Sequence, residues 1–268
     1  MRPSLGMADV MGAGPGGGGR RGGARQGAWP RRIAEALRRD LFALYAQPIV
    51  DVESGDTLRH ELFLRMADGE DLVPAGEFLL AAEQAGSIRQ IDRWVMERAI
   101  QFAAAGHPVD LNLSVRSADE ELLAMMSREV GKTGADPARL VVELSEEQLA
   151  GGLRTGRDFV LGAHELGCRI ALDGYIRGGR GRALLKALPI DFVKLGPLFV
   201  DRLAEDGRRR RKARNAAGKA HDDGQRVIAQ GVEDLITLQL LPDLGIDEAQ
   251  GYALGAPEPV ESALRPTA

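Results

Sequence analysis

Cysteine is almost absent: Cys168 is the one thiol among 268 residues. A disulfide framework needs pairs of thiols, and a structural zinc or iron–sulfur site needs several, so neither can be built within one chain. Aromatic residues amount to only 4%, too few for the stacking platform on which single-stranded nucleic acid is held, and nucleic acid is not expected as a partner. No apolar run approaches the ~20 residues that a membrane span requires, so no membrane association is expected. The opening stretch MRPSLGMADVMGAG lacks the apolar segment of a secretory signal. Together with the lone thiol, this gives a reducing cytoplasm as the expected location.

What is present is ordinary for a globular chain, with 44% hydrophobic and 28% charged residues. The length suits one large domain, and a β/α barrel typically takes ~250 residues. The net charge of −4 conceals an asymmetry. Residues 1–40 carry eight arginines against Asp9, Glu35 and Asp40, a balance of +5, which leaves −9 on the remainder. Residues 1–30 contain ten glycines and almost no large apolar side chains. Such a segment buries too little surface to offset its ordering entropy, and residues 1–30 are expected to form a disordered Gly/Arg-rich tail. An ordered barrel domain is expected over 31–262, followed by a short C-terminal tail at 263–268.

One phrase repeats along the body: a short β-rich apolar run ends at a polar residue, and a helical stretch follows. The runs are 44–52, 58–65, 108–114, 140–145, 169–173, 191–194, 227–231 and 249–254. Residues 91–105 make the clearest helix, with Ile91, Trp94, Val95, Ala99, Phe102 and Ala103 on one stripe. Another helix is expected to open at Pro74 and to stop at Gly86. The first two runs are separated by five residues, a hairpin-length connection, so they should pair antiparallel. The other gaps are long enough for crossover helices and parallel pairing. The pattern predicts an α/β fold, a TIM-like (β/α)8 barrel whose first strand runs antiparallel.

In such barrels the chemistry gathers at the carboxyl ends of the parallel strands. Those ends carry Asn112, Glu143, Asp173, Lys194, Gln230 and Gln250, while Glu61 and Arg65 share one face of the second run. Carboxylates joined by an amide oxygen form a hard donor set suited to Mg²⁺, Mn²⁺ or Ca²⁺. A lysine and an arginine on the same rim suit a phosphate. A single carboxylate at a strand end is more often a helix cap or a surface group; it is the succession of polar ends that points to a site.

At these residues the sequence resembles the EAL domain family, bacterial phosphodiesterases that open cyclic di-GMP to its linear dinucleotide. His60-Glu61-Leu62-Phe63-Leu64-Arg65 is similar to the Glu-Ala-Leu signature, and Tyr45-Ala46-Gln47-Pro48-Ile49-Val50 looks like the strand before it. Asn112-Leu113-Ser114, Glu143-Leu144-Ser145-Glu146, Ala229-Gln230-Gly231-Val232-Glu233 and Gln250-Gly251-Tyr252 match further motifs at agreeing spacings. The resemblance implies a two-metal hydrolysis in which metal ions and a basic residue activate water for attack on phosphorus. It assigns Glu61, Asn112, Glu143 and Asp173 to the first metal and Lys194 to orienting the water. Gln47, Leu64, Arg65 and Gln250 correspond to nucleotide-holding positions, and Glu146 to the acid that steadies the catalytic loop.

The departures from the family pattern bear on activity. The paired aspartates become Asp173-Gly174, the acid after the lysine strand becomes Gly196, and the proposed general base becomes Gln230. Residues 174–183 read GYIRGGRGRA, where the family loop carries an acid and hydroxyls. An amide cannot accept a proton near neutral pH. The resemblance therefore implies one Mg²⁺ or Mn²⁺ site, with Ca²⁺ as a non-productive ion, and loss of the second metal. The expected function is a degenerate EAL signalling protein that binds cyclic di-GMP, a protein partner, or both. Two alternatives stand beside it: a slow phosphodiesterase yielding linear pGpG, and a scaffold that ignores nucleotide. A homodimer is left open. The basic run 208–212 reads as a loosely docked, solvated helix with an alanine face or, alternatively, as a docking surface for a partner or polyanion. Cys168 reads as a core thiol, and the four histidines have no assigned role.

Overall fold

The computed structural model describes residues 29–151, 154–175 and 179–264. The expected N-terminal tail, apart from its last two positions, lies outside the described residues, as does the chain beyond 264. The strands are β1 (Phe42–Asp51), β2 (Thr57–Asp68), β3 (Asp71–Pro74), β4 (Val109–Asn112) and β5 (Leu140–Ser145). They continue as β6 (Arg169–Asp173), β7 (Phe192–Leu195), β8 (Arg226–Gln230), β9 (Glu248–Gln250) and β10 (Glu258–Pro259). Strands β2 and β4 to β9 pair parallel in succession, and β1 closes the ring by pairing antiparallel with both β2 and β9. This is the (β/α)8 barrel with a reversed first strand. The short β3 and β10, which the sequence pattern does not reveal, extend β2 and β1 at the rim.

Alternation along the strands separates two cores. Ile49, Val141, Ala171, Phe192 and Ile228 meet inside the barrel as one apolar layer. Their neighbours in sequence, among them Val142, Ile170, Leu172, Val193 and Val227, face outward and pack beneath the helices. The clearest of these helices spans Ile88–Ala104 and buries Ile88, Ile91, Val95, Ala99 and Ala103 on one stripe. Cys168 belongs to the outer core, where burial pushes its thiol up to about 12. It is a packing residue.

Pro74 does not open a helix. It ends β3 opposite Arg65, where an edge strand needs no donor from it, and the chain then makes a 3-10 turn at Ala75–Glu77. The helix begins at Leu79 and stops as expected at Gly86, which adopts φ +75°. The last run also ends early, because Gly251 brings the backbone against Val232. A Cβ at Gly251 would lie 2.2 Å from the Val232 carbonyl oxygen.

The helix Gly207–Asp222 carries the basic run and is docked more firmly than its composition suggests. Ala213, Ala216, Ala217 and Ala220 are buried and allow a close approach to the barrel. Arg210 donates to the Leu203 and Ala204 carbonyls at 2.8 and 2.9 Å, tying down the preceding turn.

Two glycines test this account in opposite directions. Gly251→Ala should cost more than about 2 kcal/mol, since the obstacle is backbone that cannot yield. Gly218→Ala, exposed within a helix and with open space around its Cβ, should stabilise by roughly 0.5–1 kcal/mol. Urea unfolding midpoints of the two variants check both signs.

Candidate active-site rim and adjoining cavity

Strand alternation places Gln47, Glu61, Asn112, Glu143, Asp173, Lys194, Gln230 and Gln250 above the inner apolar layer. Register brings neighbours side by side: Gln47 opposite Glu61, Asn112 beside Glu143, and Gln230 beside Gln250. Eight polar side chains from eight strands thus converge on one rim.

Lys194 stands at the centre and is fully buried. Its Nζ donates to Glu61 Oε2 at 2.7 Å and to Glu143 Oε1 at 2.5 Å, while Asn112 Nδ2 donates to Glu61 Oε1 at 2.7 Å. Burial alone would depress the ammonium, but the charges of Glu143 and Glu61 outweigh it and hold Lys194 above its ordinary range. Burial, reinforced by the charge of Glu61, lifts the Glu143 carboxyl well above its usual value, and burial also raises Asp173. Glu143 Oε2, Asp173 Oδ1 and Gln230 Oε1 are buried with no hydrogen-bond partner. Three orphaned oxygens of hard donor character fit a divalent cation in chemistry. The arrangement, however, is not an open cage. Among the described residues no group of three or more His, Cys, Asp or Glu side chains stands poised to hold an ion, and the expected four-ligand seat is closed by the lysine ammonium.

The nucleotide positions divide. Arg65 is half-buried, with its guanidinium 5.5 Å from the centroid of the Tyr45 ring. It makes no ion pair with an acid among the described residues, which leaves its charge for an anion. Gln47 instead faces inward: its Nε2 donates to the Gly255 carbonyl at 2.8 Å, and its Oε1 accepts from Gln250 Nε2 at 3.1 Å. Both amides therefore brace the loop after β9. Leu64 points to the outer face of β2, whereas Phe63 shares the barrel side with Glu61 and Arg65. Both line a cavity beside the rim. Glu146 lies buried at the start of the helix Glu146–Ala150, against Gly181, where a Cβ would sit 2.8 Å from Glu146 Oε2. The middle of that loop, residues 176–178, lies outside the described residues. Open space surrounds the Cβ positions of Gly174 and Gly196.

The cavity holds about 180 Å³ between β2, the end of β4, and the helices Leu79–Ala85 and Ile88–Ala104. Leu62, Phe63, Leu64, Leu79, Ile91 and Val95 make its apolar walls, and Asn112 joins it to the rim. Its polar end is formed by Asp92, Glu83 and Ser114. Ser114 Oγ donates to Glu83 at 3.0 Å and Ser114 N to Asp92 at 3.3 Å. Burial pushes the Asp92 carboxyl up to about 7. Neither acid was marked by the strand-end reading. The available signal was Asp92 itself, a charged residue directly beside Ile91 at the buried edge of an apolar helix stripe.

A second buried cluster, likewise missed, floors the barrel. Arg59 Nε donates to Asp110 at 2.7 Å, Nη2 approaches Glu248 at 2.6 Å, and the guanidinium covers the Phe192 ring at 4.4 Å. Burial lifts Asp110 to about 6 even beside that arginine. Removing one partner strands the others, so Arg59→Leu should cost about 3–5 kcal/mol. The joint change of Arg59, Asp110 and Glu248 to apolar residues should cost much less in the same urea titration.

The fold and site together define a closed β/α barrel with acids, amides and one lysine gathered at its strand ends. The chain belongs to the EAL domain family, whose profile matches residues 31–257. It is 29% identical over 245 residues to the cyclic di-GMP phosphodiesterase PdeF of Escherichia coli, a match covering 88% of this chain and 32% of that protein. To the signaling protein YkoW of Bacillus subtilis it is also 29% identical, over 85% of this chain and 30% of that one. The chain thus spans about a third of the length of these curated relatives. Among solved structures it resembles the FimX EAL domain from Pseudomonas aeruginosa bound to c-di-GMP, with TM-score 0.80 and 26% identity, covering 86% of this chain and 96% of that one. It also resembles the phosphodiesterase PaMucR in complex with c-di-GMP, with TM-score 0.81 and 25% identity over 88% and 99% of the two chains. No described helix is long and apolar enough to cross a membrane.

Proposed function

We propose that this chain is a degenerate EAL barrel that binds cyclic di-GMP and hydrolyses it very slowly or not at all. The observation that carries the reading is the chemistry at three positions around Lys194. Gly174 and Gly196 leave empty volume where a second ion would need acids, and Gln230 presents a buried, partnerless amide oxygen in place of a base. A divalent ion bound at the rim would supply Lewis-acid polarisation of the diester and a more acidic water. Neither the two glycines nor the Gln230 amide can take a proton from that water near neutral pH. Losing one preorganised catalytic group commonly costs ~3 kcal/mol of transition-state stabilisation, and here several are gone.

Binding asks for less. Arg65, which has no acid partner among the described residues, offers its guanidinium to a phosphate, and the cavity offers apolar walls ending in a carboxylate. That end complements guanine, whose N1–H and exocyclic amine both donate in one direction. A receptor that leaves its ligand intact reports through another molecule, so a protein partner belongs to this reading. The slow phosphodiesterase remains the second reading, supported by the intact set Glu61, Asn112, Glu143, Asp173 and Lys194.

Calorimetric titration with cyclic di-GMP in Ca²⁺, alongside an assay for linear product in Mg²⁺ or Mn²⁺, separates the two. Binding without product is expected, and rapid product formation defeats the proposal. The triple variant Gly174→Asp, Gly196→Asp, Gln230→Glu should gain measurable hydrolysis. Gly174 adopts φ +68°, so its replacement carries about 1–2 kcal/mol of backbone strain, and the pair Gly196→Asp, Gln230→Glu serves as the better folded control.

The Asp92 carboxyl gives a pH test. Guanine donates to the ionised form, and Asp92 is protonated below about 7. Affinity should therefore rise as pH increases through that value and level off above it. Asp92→Asn should weaken binding and flatten the dependence between pH 6 and 8. An unchanged slope in that variant would remove Asp92 from the base-binding role.

A further inference from the structure

We infer that Lys194 is the resident cation of this rim, and that a divalent ion enters only by displacing its ammonium from Glu61 and Glu143. The inference rests on reading the rim as a cation and diester site, and it adds how that site is opened. Three facts place the lysine in an ion's seat rather than beside it. Its side chain is wholly buried, it bonds two carboxylates from different strands at 2.7 and 2.5 Å, and the charges of Glu143 and Asp173, which carry two of the orphaned oxygens, act on it. An ammonium has only three protons to donate. With Glu61 and Glu143 occupying two of them, Glu143 Oε2, Asp173 Oδ1 and Gln230 Oε1 remain without partners.

Charge supports the exchange. Glu61, Glu143 and Asp173 bring three negative charges when ionised and Lys194 brings one positive charge. One divalent ion added to that set neutralises it, whereas a second would be uncompensated now that positions 174 and 196 are glycine. A compact ion reaches more oxygens at shorter range than an ammonium can, so it competes for the two glutamates directly. The displaced ammonium stays tethered to the end of β7 with its carboxylate partners taken. It then becomes a donor for an anionic oxygen at the same rim. Ion entry and the unmasking of Lys194 are in this account one event, and the ion-free protein presents a lysine already neutralised.

Two measurements test the exchange, both without nucleotide, so their outcome is separate from whether cyclic di-GMP binds. In the first, Ca²⁺ and Mg²⁺ are titrated calorimetrically into the unaltered protein and into Lys194→Met. Removing the internal competitor should tighten ion binding by about tenfold or more, because the variant leaves buried carboxylates uncompensated. Equal or weaker affinity in the variant overturns the inference, as does absence of ion binding in both. The second uses the unaltered chain in case the variant folds poorly. The Lys194 ammonium, protected from solvent, should give a side-chain ¹⁵N–¹H signal in ion-free protein that shifts or vanishes at the calorimetric midpoint of Mg²⁺. A signal that survives saturation unmoved overturns it too.

Discussion

A lysine ammonium withdrawn completely from water loses hydration worth several kcal/mol, and only surrounding carboxylates can restore it. In this barrel Lys194 is in that position, and the upper lumen is organised around it. Glu61 reaches it from β2 and Glu143 from β5, and Asn112 holds the free oxygen of Glu61 in place. Each of these side chains projects inward because it falls in phase with the period of two along its strand. A one-residue slip of any strand would turn its acid outward into the helix layer and leave the ammonium exposed to an apolar wall. The charge cluster and the strand register therefore enforce one another, which is a demand for specificity more than a source of stability.

The lower lumen repeats the arrangement, again with one cation held between acids from different strands. There a guanidinium bridges Asp110 and Glu248 beneath the apolar layer. Being planar and permanently charged, Arg59 suits a fixed closure. Lysine has a flexible stem and a point charge, and that suits a position where partners are exchanged. One barrel thus carries an inert ionic floor and a labile ionic rim, separated by Ile49, Val141, Ala171, Phe192 and Ile228.

Much of this was legible in sequence because barrel strands are short and end in polar residues. The strand-end positions Asn112, Glu143, Asp173, Lys194, Gln230 and Gln250 all stand on the rim, and the reversed first strand followed from the hairpin-length gap. What escaped has physical causes. Pro74 satisfies the first position of a helix as well as the last of an edge strand, and local chemistry alone does not choose between them. The basic run on the helix Gly207–Asp222 concealed an alanine face whose close docking depends on the surface opposite. Asp92 and Arg59 are each followed by another polar residue, Arg93 and His60, so little in the local pattern singles them out, and their partners Ser114, Asp110 and Glu248 are far along the chain. The hydrogen bonds of the Gln47 amide to Gln250 and Gly255 are equally invisible in sequence, because only three-dimensional register creates that closure.

Under the proposed reading Gln230, Gly196 and Gly174 stand where acids are expected, and the three do not share one structural reason. Gln230 is the same size as the acid it stands for and is buried at the rim, so it preserves packing while removing a charge. Gly196 caps the turn Pro197–Val200 in an extended conformation that other residues adopt freely, with open space at its Cβ. Gly174 alone occupies a left-handed conformation, at φ +68°. Packing therefore imposes glycine at neither loop position, and backbone geometry favours it only at 174. With the barrel indifferent to an acid at 196, a glycine there bears on charge: fewer carboxylates crowd Lys194, whose single positive charge offsets only part of what the remaining acids carry. Glu61, Glu143 and Asp173 still outnumber the one ammonium, so a single divalent ion suffices to neutralise this rim, whereas each further acid would call for more positive charge.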